Sequence, residues 1–498
     1  MVFKLIQNSA YLRPLMLLIA LLFIPLAFSV ITYLSGDRLA KYVALAGGLA
    51  AFVACNFLKA PFTAGGYAPI TYLHSWIDNP HINFALQLDG LAFMLVALTS
   101  FLVPLIIFTT YRKNIDNPKA FYSLILLMEF GLLGVFLAQD GFLFYIFWEL
   151  ALIPVYFIAL LWGENQDQDF RNRAIFKFFV YTLAGSLFML VGLIYLYQRA
   201  GSFNITDLYK VSLSVNEQYF LFWAFFLAFA IKIPVFPFHT WQPDTYKEAP
   251  TAGTMLLAGI MLKMGIYGLM RWLLPIATQG VEFWTPIVIV LAAIGVIYGS
   301  VIAIKQDDLK KLLAYSSFAH VGLITLGVFT LTREGLQGAA VQMFAHGFNV
   351  VGLFFAAEII LQRTGTLSIS QLGGIRSVAP KFATAFVVVV VASVALPTTN
   401  AFIGEFLLLY SAYEYNTWLA VVVGLTIILG AVYMLRMYQY AILGETNTLT
   451  ANFEDLNWQE LLVFVLIIIG IFVIGLHPKP LMDMMQPSLD LILNNSLR

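Results

Sequence analysis

Runs of about 17–25 mostly apolar residues recur down the chain, parted by short polar stretches, and each is long enough to cross a bilayer as a helix. Fourteen such runs can be laid out, the first over residues 14–34 and the last over 458–476. In lipid every backbone polar group must be bonded internally, so runs of this length are helical. Only 11% of the 498 residues are charged, against roughly 25% in soluble domains. The expectation is an all-α polytopic membrane protein with about 14 transmembrane helices. The first run exceeds the apolar segment of a signal peptide and reads as a retained span. A net charge of zero argues against a nucleic-acid partner. Cys55 sits in an apolar run and reads as packing. The connection over 61–88, rich in Pro, Gly, Tyr and Trp, reads as an ordered cap.

Basic residues at the span ends set the orientation. With the N-terminus outside, the inner loops hold 16 Lys and Arg, from Arg38 to Arg436, and the outer loops hold 9, from Lys4 to Arg498. Both termini are therefore expected outside. Two basic residues are left over, Lys232 and Lys263, each well inside an apolar run. A charge at bilayer depth costs at least about 2.5–3.5 kcal/mol on insertion scales, so both are candidate functional groups.

The seventh run is interrupted at Pro234 and Pro237, and the twelfth at Pro397 and Gly404. Pro234 has no N–H for the carbonyl of Ala230, which predicts freed acceptors two residues from Lys232. Breaks at matching places in two five-span units point to an inverted repeat with an ion site at the midplane. The expected organisation is a three-span segment over 1–119, one five-helix repeat over 120–274, a second over 285–440, and a last span with a tail over 441–498.

Further polar residues lie inside the runs. Glu149 is placed to pair with Lys232 and tune its proton affinity; a fixed ion pair between helices is the competing reading. Ser316, Ser317 and His320 share one helix face, as do Gln342, His346 and Asn349, giving two polar stripes with one imidazole each. Glu405, beyond the second break, reads as a terminal proton-exchanging carboxylate or as a cap on the broken half-helix. Glu129 and His239 are second-rank candidates. No carboxylate or cysteine stands at ligand spacing from these histidines, which disfavours a metal site. No glycine-rich nucleotide loop and no cluster-binding cysteine set is present, so no redox catalysis is expected in this chain.

The motifs FYIFWELALIPVYF, KFFVYTLAGS, AFAIKIPVFPFHTWQPDTYKEAPTAG, LAGIMLKMGIYG, QDDLKKLLAYSSFAHVG, QMFAHGFNVVGLFF and FIGEF resemble, in order and spacing, the antiporter-like subunits of respiratory complex I. Among these the chain is most similar to the M (chain 4) type. Glu405 stands where the L and N types and the multisubunit cation/proton antiporters typically carry lysine. The chain ends about 22 residues after its last span, too soon for the long lateral helix of the L type.

The resemblance implies a proton-translocating membrane-arm subunit of an NADH:quinone oxidoreductase. By this likeness Glu149 and Lys232 form a control pair, Lys263 the central relay, His320 and His346 the midplane link, and Glu405 the outer exchanging group. Partner subunits would carry FMN and iron–sulfur clusters, with L-type and N-type neighbours and lipid around this chain. The absence of a transit peptide and the bacterial-looking motifs imply a bacterial plasma membrane. Two departures stand out: Pro397-Thr398-Thr399 replaces the family's frequent Pro-Gly-Thr, and Tyr246 stands where a histidine is common. The alternatives are a subunit of a multisubunit cation/proton antiporter, or of a related membrane-bound hydrogenase or ferredoxin-linked complex. The lack of any further charged pocket residue speaks against a solitary solute carrier, and the cost of two intramembrane lysines speaks against a structural scaffold.

Overall fold

A computed structural model describes residues 2–59, 62, 68–163 and 167–497. Among these, 12 unbroken helices are long and apolar enough to cross a membrane. The two remaining expected spans, the seventh and twelfth, are the interrupted ones. The seventh is helical over Val215–Lys232 and then irregular to a short helix, Gln242–Glu248. The twelfth is two half-helices, Pro380–Ser393 and Asn400–Tyr415.

Local chemistry starts many of these helices where the sequence passes from polar to apolar. Asp89, Asp140, Asp308, Thr332, Asn416 and Asn457 each accept a backbone N–H from the first turn that follows. Such caps satisfy donors that have no partner within the helix. The sixth and eleventh spans end on Gly201 and Gly365, both with positive φ.

Packing sorts the spans by depth. The eighth span, Thr251–Ile276, is completely buried over its apolar window, whereas only 28% of the thirteenth and 22% of the fourteenth are buried. Lys263 therefore belongs to the innermost helix. The loops separate into two sets, as an alternating path requires. On one face the segment around Asp307 and Asp308 pairs with Ser368 and Ser370. On the other face Asp140 pairs with Asn204, and Gln218 with Gln279.

Within the 61–88 connection, Ile70–Ile77 and Ile82–Leu88 form an antiparallel hairpin. It is tied to the fourth span's end by the Gln139 N–H donating to the Ala85 carbonyl at 2.9 Å. Residues 61 and 63–67 of the expected cap lie outside the described residues. The tail after the last span is itself a helix, Lys479–Ser496, seated on the start of the third span, where the backbone N–H of Leu91 donates to the Ser488 hydroxyl.

The basic-residue count needs one correction. Arg271 and Lys310, counted as flanking charges, are as buried as the two interior lysines (3% and 1% exposed). Arg271 pairs with Asp89 beneath the hairpin, and Lys310 donates to the carbonyl of Ala249. One residue leaves each set, so the inner excess of basic residues is unchanged.

Candidate functional site

Lys232 is the last residue of the seventh span's helix, where a cation complements the helix dipole by about 0.3–1 kcal/mol, more when buried. The acceptors expected to be left free by Pro234 are not. The Val235 N–H bonds the Ala230 carbonyl at 2.6 Å, and the Trp241 indole N–H donates to the Ile231 carbonyl at 2.9 Å. The chain closes its own break. The Lys232 ammonium is buried and 5.4 Å from the centroid of Trp148, and it has no hydrogen-bond partner among the described residues.

Glu149 follows Trp148 on the fifth span, beside Ser186 and within electrostatic reach of Lys232. The expected Glu149–Lys232 pair is not in contact. The indole face stands next to the ammonium instead, because Trp148 and Glu149 are adjacent and point to different sides of one helix.

The eighth span is wound as π-helix over Leu257–Met261 and again over Leu269–Leu273, on either side of Lys263. Single π turns of this kind recur at functional positions. The wider winding turns Lys263 back over its own helix, where its Nζ donates to the Ala258 carbonyl at 2.7 Å. The same Nζ is 2.8 Å from Nδ1 of His346 on the eleventh span. An ammonium only donates, so Nδ1 of His346 is the acceptor whenever Lys263 is charged.

From His346 the polar line continues to the second break. Its ring centroid is 6.1 Å from that of His320. Between and around them lies a cavity of about 20 Å³ lined by Ser316, Ser317, Gln342, Asn349 and Ser393, large enough for one water. Nδ1 of His320 is 2.8 Å from the Ser316 carbonyl, and Nε2 is 3.2 Å from both the Ser393 carbonyl and Glu405 Oε1. Both ring nitrogens thus face acceptors, the arrangement that suits an imidazolium. Gln342 donates to the same Glu405 oxygen at 3.5 Å. The close approach rests on Gly404, where a Cβ would lie 2.4 Å from Gln342 Oε1.

The second break is also saturated by its neighbours. Asn349 donates to the Ala392 carbonyl at 3.1 Å, and Asn400 reaches back to the Ala345 carbonyl at 3.3 Å. Glu405 is the sixth residue of its half-helix and bonds side chains of the tenth and eleventh spans, so it is not the helix cap that sequence left open. Thr398 takes φ 82, in the left-handed region, at the position where the family frequently has glycine.

The structure thus joins Lys263, His346, His320 and Glu405 in one line and leaves Glu149 and Lys232 as a separate pair. Glu129 is fully buried in the fourth span with no hydrogen-bond partner for either carboxylate oxygen among the described residues. His239 lies in an aromatic stack, 4.4 Å from Phe318 and 5.7 Å from Phe236, away from that line. Sequence reasoning missed Trp148 and the carbonyls of Ala258, Ser316 and Ser393. The tryptophan's place beside Glu149 was a readable signal, whereas carbonyl direction was not.

Comparison with known proteins agrees with this architecture. Residues 138–430 match the family model described as "NADH:quinone oxidoreductase/Mrp antiporter, TM". The chain is 38% identical over 480 residues to NADH-quinone oxidoreductase subunit M of Rickettsia prowazekii (strain Madrid E), covering 96% of each chain. It is 36% identical to NADH-ubiquinone oxidoreductase chain 4 of Arabidopsis thaliana, covering 97% of this chain and 95% of that one. A chain in the structure of respiratory complex I from Thermus thermophilus with bound NADH superposes with a TM-score of 0.89 at 30% identity, over 97% of this chain and 100% of that chain. With the matched region holding both broken spans and every residue of the Lys263–Glu405 line, the chain belongs to the NADH:quinone oxidoreductase/Mrp antiporter membrane family.

Proposed function

We propose that this chain is the M-type (chain 4) membrane-arm subunit of a proton-translocating NADH:quinone oxidoreductase. In this reading it carries protons and performs no redox step. FMN and iron–sulfur clusters reside in partner subunits, and L-type and N-type antiporter-like chains flank it. The excess of Lys and Arg on one set of loops favours both termini outside a bacterial plasma membrane. The 1–119, 120–274, 285–440 and 441–498 division is the corresponding domain plan, with one break in each five-span unit.

The observation that carries the proposal is the polarity of the line from Lys263 to Glu405. Lys263 holds its proton against a neutral acceptor, His346, while His320 is set to hold one against Glu405. A proton passing from Nζ of Lys263 to Nδ1 of His346 leaves a neutral amine, and the charge advances by one residue. A water in the small cavity would bridge the imidazoles, and Glu405 is the group that accepts and discharges. The Lys232 ammonium, with no hydrogen-bond partner among the described residues, is free to respond to a distant charge. A change at Glu149 alters its proton affinity through space, since interactions between buried charges are weakly screened.

The test is proton uptake by inverted membrane vesicles driven by NADH, scored against quinone reduction and assembly. Lys232→Ala and Lys263→Ala complexes that assemble are expected to lose pumping and coupled turnover together. Wild-type pumping in both variants would overturn the proposal.

A further inference from the structure

A groove of about 300 Å³ opens between the second, third and fourteenth spans, lined by apolar side chains including Leu45, Leu49, Phe52, Phe101, Phe108 and Leu466. These residues cluster toward the Ala40, Thr109 and Trp458 ends of their helices, so the groove runs inward from one membrane face. Its mouth is ringed by aromatic side chains. Phe108 packs 5.5 Å from Tyr111 and 6.2 Å from Trp458, and Tyr111 meets Tyr42 edge-on at 5.3 Å. Such rings favour the level of lipid headgroups.

Two cations stand at this mouth without a carboxylate in ion-pair range among the described residues. Lys41 Nζ lies 4.8 Å over the ring of Tyr111 and 3.4 Å from its carbonyl. Arg112 is exposed, its Nε donating to Gln459 at 2.8 Å, which leaves the far side of the guanidinium open. Nearby Lys113 and Arg363 are already matched by Glu358 and Glu460. Glu454, also exposed, is the carboxylate that remains at the rim, so cations are in excess there.

We propose that the groove is a binding site for one anionic phospholipid, an acyl chain lying along Phe52, Phe101 and Leu466 and the phosphate held by Lys41 and Arg112. A helix of a neighbouring subunit, about 10 Å across, is too wide for a trough of this size.

The experiment uses the assembled complex in native membranes. A photoreactive benzoyl-phenylalanine replaces Leu466, and a reference label replaces Ile428 on the exposed face of the thirteenth span; adducts are read by mass spectrometry. The expected adduct at the groove is a phosphatidylglycerol-type lipid enriched over the reference position. Lys41→Gln and Arg112→Gln should each cut that enrichment about fivefold, the effect of one basic side chain near an anionic headgroup. A headgroup ratio equal to the reference overturns the proposal, as does a ratio unmoved by both substitutions. A crosslink to another subunit's peptide also overturns it and makes the groove a protein interface.

Discussion

The two broken spans solve the same problem in opposite ways. At the first, the backbone is closed by its own chain, and the buried ammonium of Lys232 has no hydrogen-bond partner among the described residues and faces the ring of Trp148. At the second, side chains from neighbouring spans fill the break, and Glu405 is bound by His320 and Gln342. One charge is positioned by burial and a helix end, the other by a directional network. The first is therefore adjustable by remote fields, while the second is committed to particular partners. In the proposed relay the first would sense and the second would exchange.

The largest expected effect breaks the line that ends at the second region. Lys263→Met removes the eighth-span group hydrogen-bonded to His346, and coupled proton uptake should fall on the order of 10²-fold with assembly retained. Vesicle uptake near wild type would mean that the second break works without the eighth span. At the wired end, Glu405→Gln keeps the shape but leaves His320 without its anion, a loss of about 1.5–3 kcal/mol of charge-assisted bonding. Pumping should drop by roughly tenfold in the same assay.

At the other break the contrast is between Trp148→Phe and Trp148→Leu. An aromatic face beside a desolvated cation contributes about 2 kcal/mol, which phenylalanine partly keeps and leucine forfeits. Equal turnover in the two variants would show that the ring merely fills space. Backbone strain separates the breaks more gently. Thr398→Gly relieves a left-handed residue, worth about 1–2 kcal/mol, and should raise the midpoint of thermal inactivation. Gly475→Ala should lower that midpoint, because a Cβ there would lie 2.1 Å from the Thr398 carbonyl.

The smallest effect lies in the loops. Although burial acts to raise it, the Asp307 carboxyl is held below its ordinary range by the hydroxyl of Ser368 and by the N–H and hydroxyl of Ser370. A depressed value means stability that is present above the ordinary carboxylate pKa of about 3.9 and is lost as pH falls through the folded value. Asp307→Asn should remove that pH dependence and cost at most about 1 kcal/mol, read as faster amide exchange at Ser370.

The fourteen spans were legible because each carries its own signal, a run of the right length between polar ends. The interior lysines and the breaks were equally plain, since a lone charge or proline stands out against an apolar background. Less legible was what each group touches. Glu149 and Lys232 looked like a contact pair because opposite charges were the visible partners, but Trp148 turned out to be the neighbour. Arg271 looked like a span-end charge, yet it is buried because Asp89, 182 positions earlier, comes to meet it. The π turns around Lys263 had no sequence mark, being a consequence of packing in the innermost helix.

The sequence by itself determined that this chain crosses a membrane many times, that two spans are interrupted, and which ionisable residues lie at depth, because hydropathy and proline act locally. Only the tertiary structure decided which of those residues form a line. The Lys263–His346 and His320–Glu405 contacts, and the approach of the two imidazoles between them, depend on carbonyl direction and helix rotation to within an ångström, and both are fixed by spans far apart in the chain.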